Sequence, residues 1–292
     1  MTLANNGTGM DHFLTPTEYL DAGHPLVRTT AATLIRDAVS DTERVRRIYY
    51  YVRDVPYDVL ASFRYLAQGH HRASDVIGHG VAFCMGKASS FVALCRAAGV
   101  PARIAFQTID APDKEFLSPQ VRALWGGRTG RPFPWHSLGE AYLGRRWVKL
   151  DATIDAPTAA RLGKPYRQEF DGATPIPTVE GTILRENGSY ADYPSAVAQW
   201  YERIAQSVLK ALQSTEVHAL VAADEELWTA PRLNWPTQPT DCESHDASAA
   251  CRVVPFTVAG LPRVAQGILI LFFATGFPAQ RIHQGAGRIM SS

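Results

Sequence analysis

The chain lacks several features that would place it in a specialised class of protein. It has only four cysteines in 292 residues, too few for a small fold held together by disulfides. Its 29 Lys and Arg are balanced by 28 Asp and Glu, so there is no electrostatic reason to expect binding of nucleic acid or of an anionic membrane surface. The longest apolar run, at 267–274, is far shorter than the ~20 residues that a membrane-spanning helix needs.

Two further absences concern the ends of the chain. Residues 1–7 have neither the basic nor the apolar part of a secretory signal, so we expect a soluble, reduced, cytoplasmic protein. From Ala247 to Ser292 there is no Asp or Glu. That stretch reads as a divergent tail, a poorly ordered one or an artefact of the reading frame, and composition does not choose among these.

The hydrophobic pattern predicts helices in the first third of the chain. One helix is predicted at 26–39, and a capping box of Ser40 and Glu43 predicts a second that ends before Pro56. Residues 57–79 are typical of a loop or of short helices. From Cys84 onward an apolar stripe of helical period predicts an amphipathic helix, which Gly99 closes.

Strands and turns are predicted after this helix. A strand is expected at 102–108 and a long loop at 110–134. The segments 135–143 and 146–151 are predicted to form a hairpin that turns at Gly144-Arg145. Residues 157–190 are turn-rich, and a helix is expected at 193–212.

Three side chains in these elements have the chemistry of nucleophilic catalysis. Cys84 heads the predicted helix, whereas His136 and Asp151 lie on the two arms of the hairpin. They supply a thiol nucleophile, a base to deprotonate it and a carboxylate to orient the base. A two-residue loop would place Asp151 opposite Leu138, on the same face as His136 and ~7–8 Å from it, within reach of a side-chain hydrogen bond.

The start of a helix activates a thiol only modestly. It favours an anion by typically ~0.3–1 kcal/mol, so Cys84 needs the histidine as a partner. Cys95, on the same helical face, fits a buried structural thiol better. The backbone N–H of Cys84 is a natural donor to an oxyanion, and Tyr57 is our candidate for a second donor.

The segments around these residues resemble three signature blocks of the transglutaminase-like superfamily, in order and over about half of the chain. The segments Gly78–Ala88 and Leu94–Arg103 resemble the cysteine block, Trp135–Tyr142 resembles the histidine block and Trp147–Thr153 resembles the aspartate block. Departures fall at Leu138-Gly139, where relatives often carry bulkier residues, and at Ala152, where proline is frequent.

This resemblance implies an α+β, papain-like core. In such a core a nucleophile helix packs on an antiparallel sheet that carries the histidine and the aspartate. It also implies a Cys84–His136–Asp151 triad that works without a metal or an organic cofactor. We expect a polar lead-in at 1–14, a catalytic domain at 15–160, a turn-rich and helical extension at 161–235 and an uncertain tail at 236–292.

The expected reaction is acyl transfer through a thioester acyl-enzyme, as an amide or peptide hydrolase or an amine acyltransferase. One alternative is a Dieckmann-type cyclase that closes a tetramate ring on a polyketide–peptide thioester, and an acyl carrier protein would then be a partner. Another is a non-catalytic binding module on the same fold. The expected substrates are peptides, amides or thioesters, with no nucleic acid or membrane partner.

Overall fold

The computed structural model describes residues 9–110, 132–164, 166, 169–178 and 181–212. After a short 3-10 turn at Asp11–Phe13, five helices precede the first strand. The helices are α1 (Pro25–Leu34), α2 (Asp41–Arg53), α3 (Val59–Ala67), α4 (Ala73–His79), α5 (Cys84–Ala97), α6 (Ala156–Leu162) and α7 (Ser195–Leu212). The strands are β1 (Ala102–Asp110), β2 (Phe133–Leu143), β3 (Arg146–Leu150) and β4 (Thr182–Tyr190).

The four strands form one antiparallel sheet in the order β3-β2-β1-β4. The predicted hairpin is confirmed, since Leu143 pairs with Arg146 and the register continues outward from there. Its turn residues Gly144 and Arg145 have φ values of 54° and 67°. Positive φ at both central positions matches the right-handed twist of the flanking strands, so the turn keeps the register of the hairpin.

Helix α5 lies at the centre of the molecule. It packs against β1 and β2 and against α1, α2 and α4, and every residue from Cys84 to Arg96 is buried. The prediction of an amphipathic helix is therefore wrong, because the polar positions are also covered. Lys87 donates to the carbonyl of Arg53 at 2.8 Å, and Arg96 donates to backbone carbonyls that include that of Ala102.

The helices before α5 differ from the prediction at their ends. α1 stops at Leu34 rather than at 39, because its buried stripe is complete there and Val39 is 92% exposed. Ser40 caps α2 as predicted, with its Oγ accepting from the N–H of Glu43 at 3.2 Å. The Glu43 carboxylate reaches back to the N–H of Val39. Between 57 and 79, where the sequence predicted either a loop or short helices, the chain forms the short helices α3 and α4.

The region after Asp155 contains more regular structure than a turn-rich reading allows. Helix α6 begins at Ala156, and β4 pairs with β1, so 182–190 is a strand of the sheet. The alternation that marks a strand is missing here because most of β4 is exposed. Helix α7 confirms the helix predicted at 193–212. The division into a catalytic domain and an extension at residue 160 stays a prediction.

The predicted α+β class, with a helix headed by Cys84 on an antiparallel sheet, is confirmed. Most of the loop predicted at 110–134 and all of the predicted tail at 236–292 lie outside the described residues. Within the part that is described, no helix combines the length and the apolar character needed to cross a bilayer.

Candidate active site

Cys84 occupies the first position of α5, as the sequence predicts. The preceding residue, Phe83, is extended (φ −110°, ψ −170°), and Gly80 ends α4 in the left-handed conformation with φ 70°. Cys84 thus lies at the end of α5 where the N–H groups of the first turn have no partner within the helix. The Cys84 side chain is only 4% exposed.

His136 and Asp151 meet in a direct, buried hydrogen bond. The distance from His136 Nε2 to Asp151 Oδ2 is 2.6 Å, and the two residues are 1% and 7% exposed. β2 supplies the histidine, and the aspartate follows the last residue of β3, one position beyond the Gly139–Leu150 pair. The predicted diagonal contact between the two arms of the hairpin is therefore confirmed.

Asp151 is held at both carboxylate oxygens. Oδ1 accepts from the N–H of Thr153 at 2.9 Å, and Oδ2 accepts from the hydroxyl of Thr178 at 2.6 Å. Burial by itself would raise the pKa of Asp151, but the charge of His136 and the hydrogen bonds from His136, Thr153 and Thr178 lower the pKa below its ordinary value. The carboxylate is thus ionised at neutral pH and able to stabilise a positively charged imidazole.

Tyr201 of α7 lies between Cys84 and β2. Its Oη is 3.9 Å from Cys84 Sγ and 3.3 Å from the Oγ of Ser137, and it donates to the carbonyl of Trp135 at 2.5 Å. Burial, and after it the neighbouring Cys84, raises the pKa of the phenol well above its ordinary value. Tyr201 therefore stays protonated and joins the thiol to the strand that carries His136.

The first turn of α5 is also held by the hydroxyl groups of Ser89 and Tyr193. Tyr193 Oη donates to the carbonyl of Met85 at 3.0 Å. Ser89 Oγ lies 3.0 Å from the same carbonyl and 3.1 Å from Tyr193 Oη. The residue that follows Cys84 is thus anchored to the segment just before α7.

A cluster of aromatic rings packs around Phe83 and Tyr201, the two aromatic residues next to Cys84 in sequence or in space. Phe83 contacts Phe63 at 5.0 Å and Tyr201 at 5.7 Å between ring centroids. Tyr201 contacts Trp200 at 5.0 Å, and Trp200 contacts Phe133 at 5.6 Å. Phe63, Phe83 and Tyr201 are buried, whereas Trp200 and Phe133 are partly exposed. Apolar rings thus pack around Phe83 and Tyr201, while the group that faces the thiol itself is the hydroxyl of Tyr201.

The segment of Tyr57 runs beside the turn that leads into Cys84. Tyr57 forms a parallel bridge with Ala82, and its N–H donates to Asp155 Oδ2 at 2.7 Å. Asp155 Oδ1 accepts from the N–H of Thr158 at 2.8 Å and so also caps α6. The structure places Tyr57 near the nucleophile turn, whereas its role as a donor to an oxyanion stays a prediction.

Gly139, one of the departures noted in the sequence, lies where β2 crosses α5. A Cβ added at this position would be 2.1 Å from Cδ1 of Phe91. Phe91 is completely buried in α5. The absence of a side chain at 139 therefore sets how closely the helix of Cys84 approaches the strand of His136.

Cys95 is buried as expected of a structural thiol. It is 0% exposed, and burial raises its pKa far above its ordinary value. Among the residues that the structure describes, no group of three or more His, Cys, Asp or Glu is arranged to hold a metal ion.

The sequence analysis missed several side chains of this site, namely Ser89, Ser137, Thr178, Tyr193, Tyr201 and Gln107, whose Oε1 lies 2.8 Å from the hydroxyl of Thr178. Ser137 adjoins the histidine, so its position alone could have marked it. Tyr201 lies on a predicted helix, but nothing in one sequence indicates which helix covers the thiol. Thr178 lies in the segment read as turns, and Gln107 becomes relevant only through the pairing of β1 with β2.

Comparison with known proteins finds a family model that matches part of the chain. Residues 28–152 match the sequence model of the Transglutaminase-like superfamily. No curated protein matches the chain. Among solved structures it is similar to the crystal structure of a "putative cysteine protease" from Cytophaga hutchinsonii, with 22% identity and a TM-score of 0.39. The match covers 52% of this chain and 45% of that protein, so the chain spans less than half of its length.

Proposed function

We propose that the protein is a cysteine-dependent enzyme that transfers an acyl group through a thioester, because residues 28–152 match the sequence model of the Transglutaminase-like superfamily. Cys84 is the nucleophile, His136 is the base and Asp151 orients the base. The observation that carries this proposal is the buried 2.6 Å hydrogen bond between His136 and Asp151, in a sheet that packs directly against the helix of Cys84.

The hydrogen bond to Asp151 determines which nitrogen of His136 acts on the thiol. Since Nε2 binds the carboxylate, Nδ1 is the nitrogen that receives the proton of Cys84. The ionised Asp151 fixes this tautomer and stabilises the imidazolium that forms. A thiolate–imidazolium pair is the state that makes a cysteine strongly nucleophilic near neutral pH.

The reaction then proceeds in two halves. The Cys84 thiolate attacks the acyl carbon, and the bond to the leaving amine, alcohol or thiol breaks as His136 returns its proton to that group. The resulting thioester is attacked by an acceptor whose proton His136 removes, and the thiolate leaves. Water as the acceptor makes the enzyme an amidase or peptidase, whereas an amine makes it a transglutaminase.

The tetrahedral intermediates need donors for their oxyanion. The N–H of Cys84 is available for this role at the start of α5, where no earlier residue of the helix accepts it. We propose the phenol hydroxyl of Tyr57 as the second donor, since the N–H of Tyr57 is bound to Asp155. The segment of Tyr57 is held beside Ala82, because the N–H of Asp58 donates to the carbonyl of Ala82 at 3.1 Å and the N–H of Ala82 donates to the carbonyl of Pro56 at 3.0 Å.

A second candidate is a Dieckmann-type cyclase that uses the same three residues. In that reaction the acyl group of a carrier-bound polyketide–peptide thioester passes to Cys84, and the carrier leaves as its thiol. His136 then removes a proton from an acidic carbon of the acyl chain, and the carbanion attacks the thioester carbonyl and displaces the Cys84 thiolate to close the ring. The burial of Cys84, which is 4% exposed, and the aromatic cluster of Phe83, Trp200 and Tyr201 beside it favour this candidate, because a site closed to water protects an acyl-enzyme from hydrolysis.

The pH dependence of Cys84 alkylation tests the shared part of both candidates. Iodoacetamide labelling followed by peptide mass mapping is measured between pH 5 and 9 in wild type, His136→Ala and His70→Ala. His70 is a half-exposed histidine outside the site and serves as the matched control. We expect fast labelling of Cys84 well below pH 8, loss of that fast labelling in His136→Ala and unchanged labelling in His70→Ala.

The same protein then separates the candidates. Release of product from a peptide amide, with or without an amine acceptor, supports the hydrolase or transferase. Ring closure on a β-ketoacyl-aminoacyl thioester supports the cyclase instead. Cys84 labelling that is no faster than that of a small-molecule thiol, and that is insensitive to His136, contradicts the triad and leaves a non-catalytic binding module on this fold.

A further inference from the structure

A hydrogen-bonded network of side chains leads from Asp151 to the surface of the sheet. Thr178 Oγ1 lies 2.6 Å from Asp151 Oδ2 and 2.8 Å from Gln107 Oε1. The Gln107 amide nitrogen donates to Glu186 Oε1 at 3.0 Å, and Glu186 pairs with Lys149 at 2.7 Å. Asp151, Thr178 and Gln107 are buried, whereas the side chain of Glu186 is 50% exposed.

The backbone fixes Thr178 in this position. The segment before it bridges the end of β3, since the N–H of Asp151 donates to the carbonyl of Ile176 at 3.1 Å and Ile176 donates to Lys149 at 2.9 Å. On the other side Gln107 pairs with His136 across β1 and β2. Thr178 is therefore held between the loop that carries the acid and the strand next to the base.

Resting on the proposed function, we propose that Thr178 is a positioning residue that directs Asp151 toward His136, and that Glu186 acts on it through Gln107. Both His136 and Thr178 bind Oδ2, while Thr153 binds Oδ1. These three donors fix the rotation of the carboxylate, so the oxygen that faces the imidazole cannot turn away without breaking the bond to Thr178.

The number of protons explains the part played by Glu186. The Thr178 hydroxyl has one proton but two acceptors within 2.8 Å, Asp151 and the Gln107 carbonyl. Gln107 presents this carbonyl because its N–H group is taken by Glu186. Glu186 therefore makes Gln107 compete with Asp151 for the proton of Thr178. A neutral amide at position 186 can donate to the Gln107 carbonyl and let the Gln107 N–H turn toward Thr178.

Two titratable groups that face Asp151 must also be considered in a pH-dependent test of Thr178. They are His136 from β2 and Tyr49 from α2. Burial raises the pKa of Tyr49 well above its ordinary value, so its phenol stays neutral over the pH range of the experiment. Lys149 and Glu186 pair with each other at the end of the network that is farthest from Asp151.

The test compares the alkylation rate of Cys84 at pH 6 and at pH 9 in wild type, Thr178→Val, Thr178→Ser and Thr108→Val. Thr108 is a neighbouring threonine of β1 whose hydroxyl binds Pro134 and Asn187 instead. A hydrogen bond to a charged group corresponds to a change of about tenfold or more. We therefore expect Thr178→Val to slow the reaction at pH 6 about tenfold with little change at pH 9, and Thr178→Ser and Thr108→Val to behave as wild type.

Glu186→Gln provides the opposite prediction, since it releases the proton of Thr178 to Asp151. We expect its rate at pH 6 to equal or exceed that of wild type, and a rate more than twofold slower overturns the role of Glu186. A Thr178→Val rate within twofold of wild type at pH 6, or an equal loss in Thr108→Val, overturns the role of Thr178.

A second measurement keeps this inference separate from the proposed function. If wild-type Cys84 reacts as an ordinary thiol, the proposed function fails, and the link between Thr178 and Asp151 is judged by urea unfolding at pH 7 and pH 3. Thr178→Val must then lose more stability at pH 7 than at pH 3, because the bond stabilises the ionised carboxylate. An equal loss at both values overturns the link.

Discussion

Replacement of Gly139 by alanine tests whether the close approach of β2 to α5 is required. The added Cβ would lie 2.1 Å from Phe91 Cδ1, and ordinary contact begins at 3.4 Å. The buried ring or its helix must therefore retreat by 1.3 Å, the difference between these two distances. Overpacking of this kind costs ~1–3 kcal/mol, and a close-packed interior without room to relax is at the upper end.

Part of this cost is offset, because alanine is favoured over glycine in a strand by ~0.5–1 kcal/mol. The net loss of unfolding free energy for Gly139→Ala is therefore about 2 kcal/mol, measured by urea unfolding. The matched control is Gly78→Ala in α4, whose Cβ would meet only Leu26 Cδ2 at 3.7 Å. That variant gains stability or leaves it unchanged.

The partner variant Phe91→Val removes the two closest ring atoms, and it should rescue Gly139→Ala in a double-mutant cycle with a coupling energy of at least ~1 kcal/mol. Because α5 carries Cys84 and β2 carries His136, Gly139→Ala should also slow Cys84 alkylation at pH 6. Unfolding of Gly139→Ala within ~0.5 kcal/mol of wild type, or additivity in the cycle, refutes the reasoning.

Three further predictions follow from the buried polar groups. The pKa of Asp151 is lower folded than unfolded, so its stabilisation is present above about pH 4 and is lost as pH falls through the folded-state pKa; in urea titrations Asp151→Asn should flatten this acid limb, and an unchanged limb contradicts the assignment. Cys95 should resist iodoacetamide in the native protein and react only after unfolding, whereas Cys84 reacts in both states; native labelling of Cys95 would show that α5 is less protected than its burial indicates. Asp155→Ala removes the acceptor of two buried N–H groups, those of Tyr57 and Thr158. It should lower the free energy of unfolding in urea by about 2–4 kcal/mol. A loss below ~1 kcal/mol would argue that Asp155 does not hold the segment of Tyr57 to α6.

The parts of the fold that depend on neighbouring residues could be predicted from the sequence. The turn at Gly144-Arg145 fixes the register of its hairpin locally, and from that register the contact between His136 and Asp151 follows. Likewise, Gly99 ends the helix of Cys84 with a φ of 79°, a conformation that glycine adopts at little cost.

The parts that depend on distant contacts could not be predicted in this way. The stripe from Cys84 suggested one covered face, but α5 is covered all round, and its side chains Lys87, Ser89 and Arg96 bind partners far along the chain. β4 has no apolar alternation, since it lies at the edge of the sheet, and only its pairing with β1 reveals it. Thr178 and Tyr201 reach the site through these long-range contacts.

The position of β4 and α7 has a practical consequence for expression of the protein. The family match ends at residue 152, yet β4 covers one edge of β1, and α7 covers Cys84 with Tyr201. A recombinant fragment that ends near residue 160 would expose the hydrogen-bonding edge of β1, and open edges pair with other chains. We therefore expect such a fragment to aggregate, and a fragment used for crystallisation or screening should extend at least to Leu212.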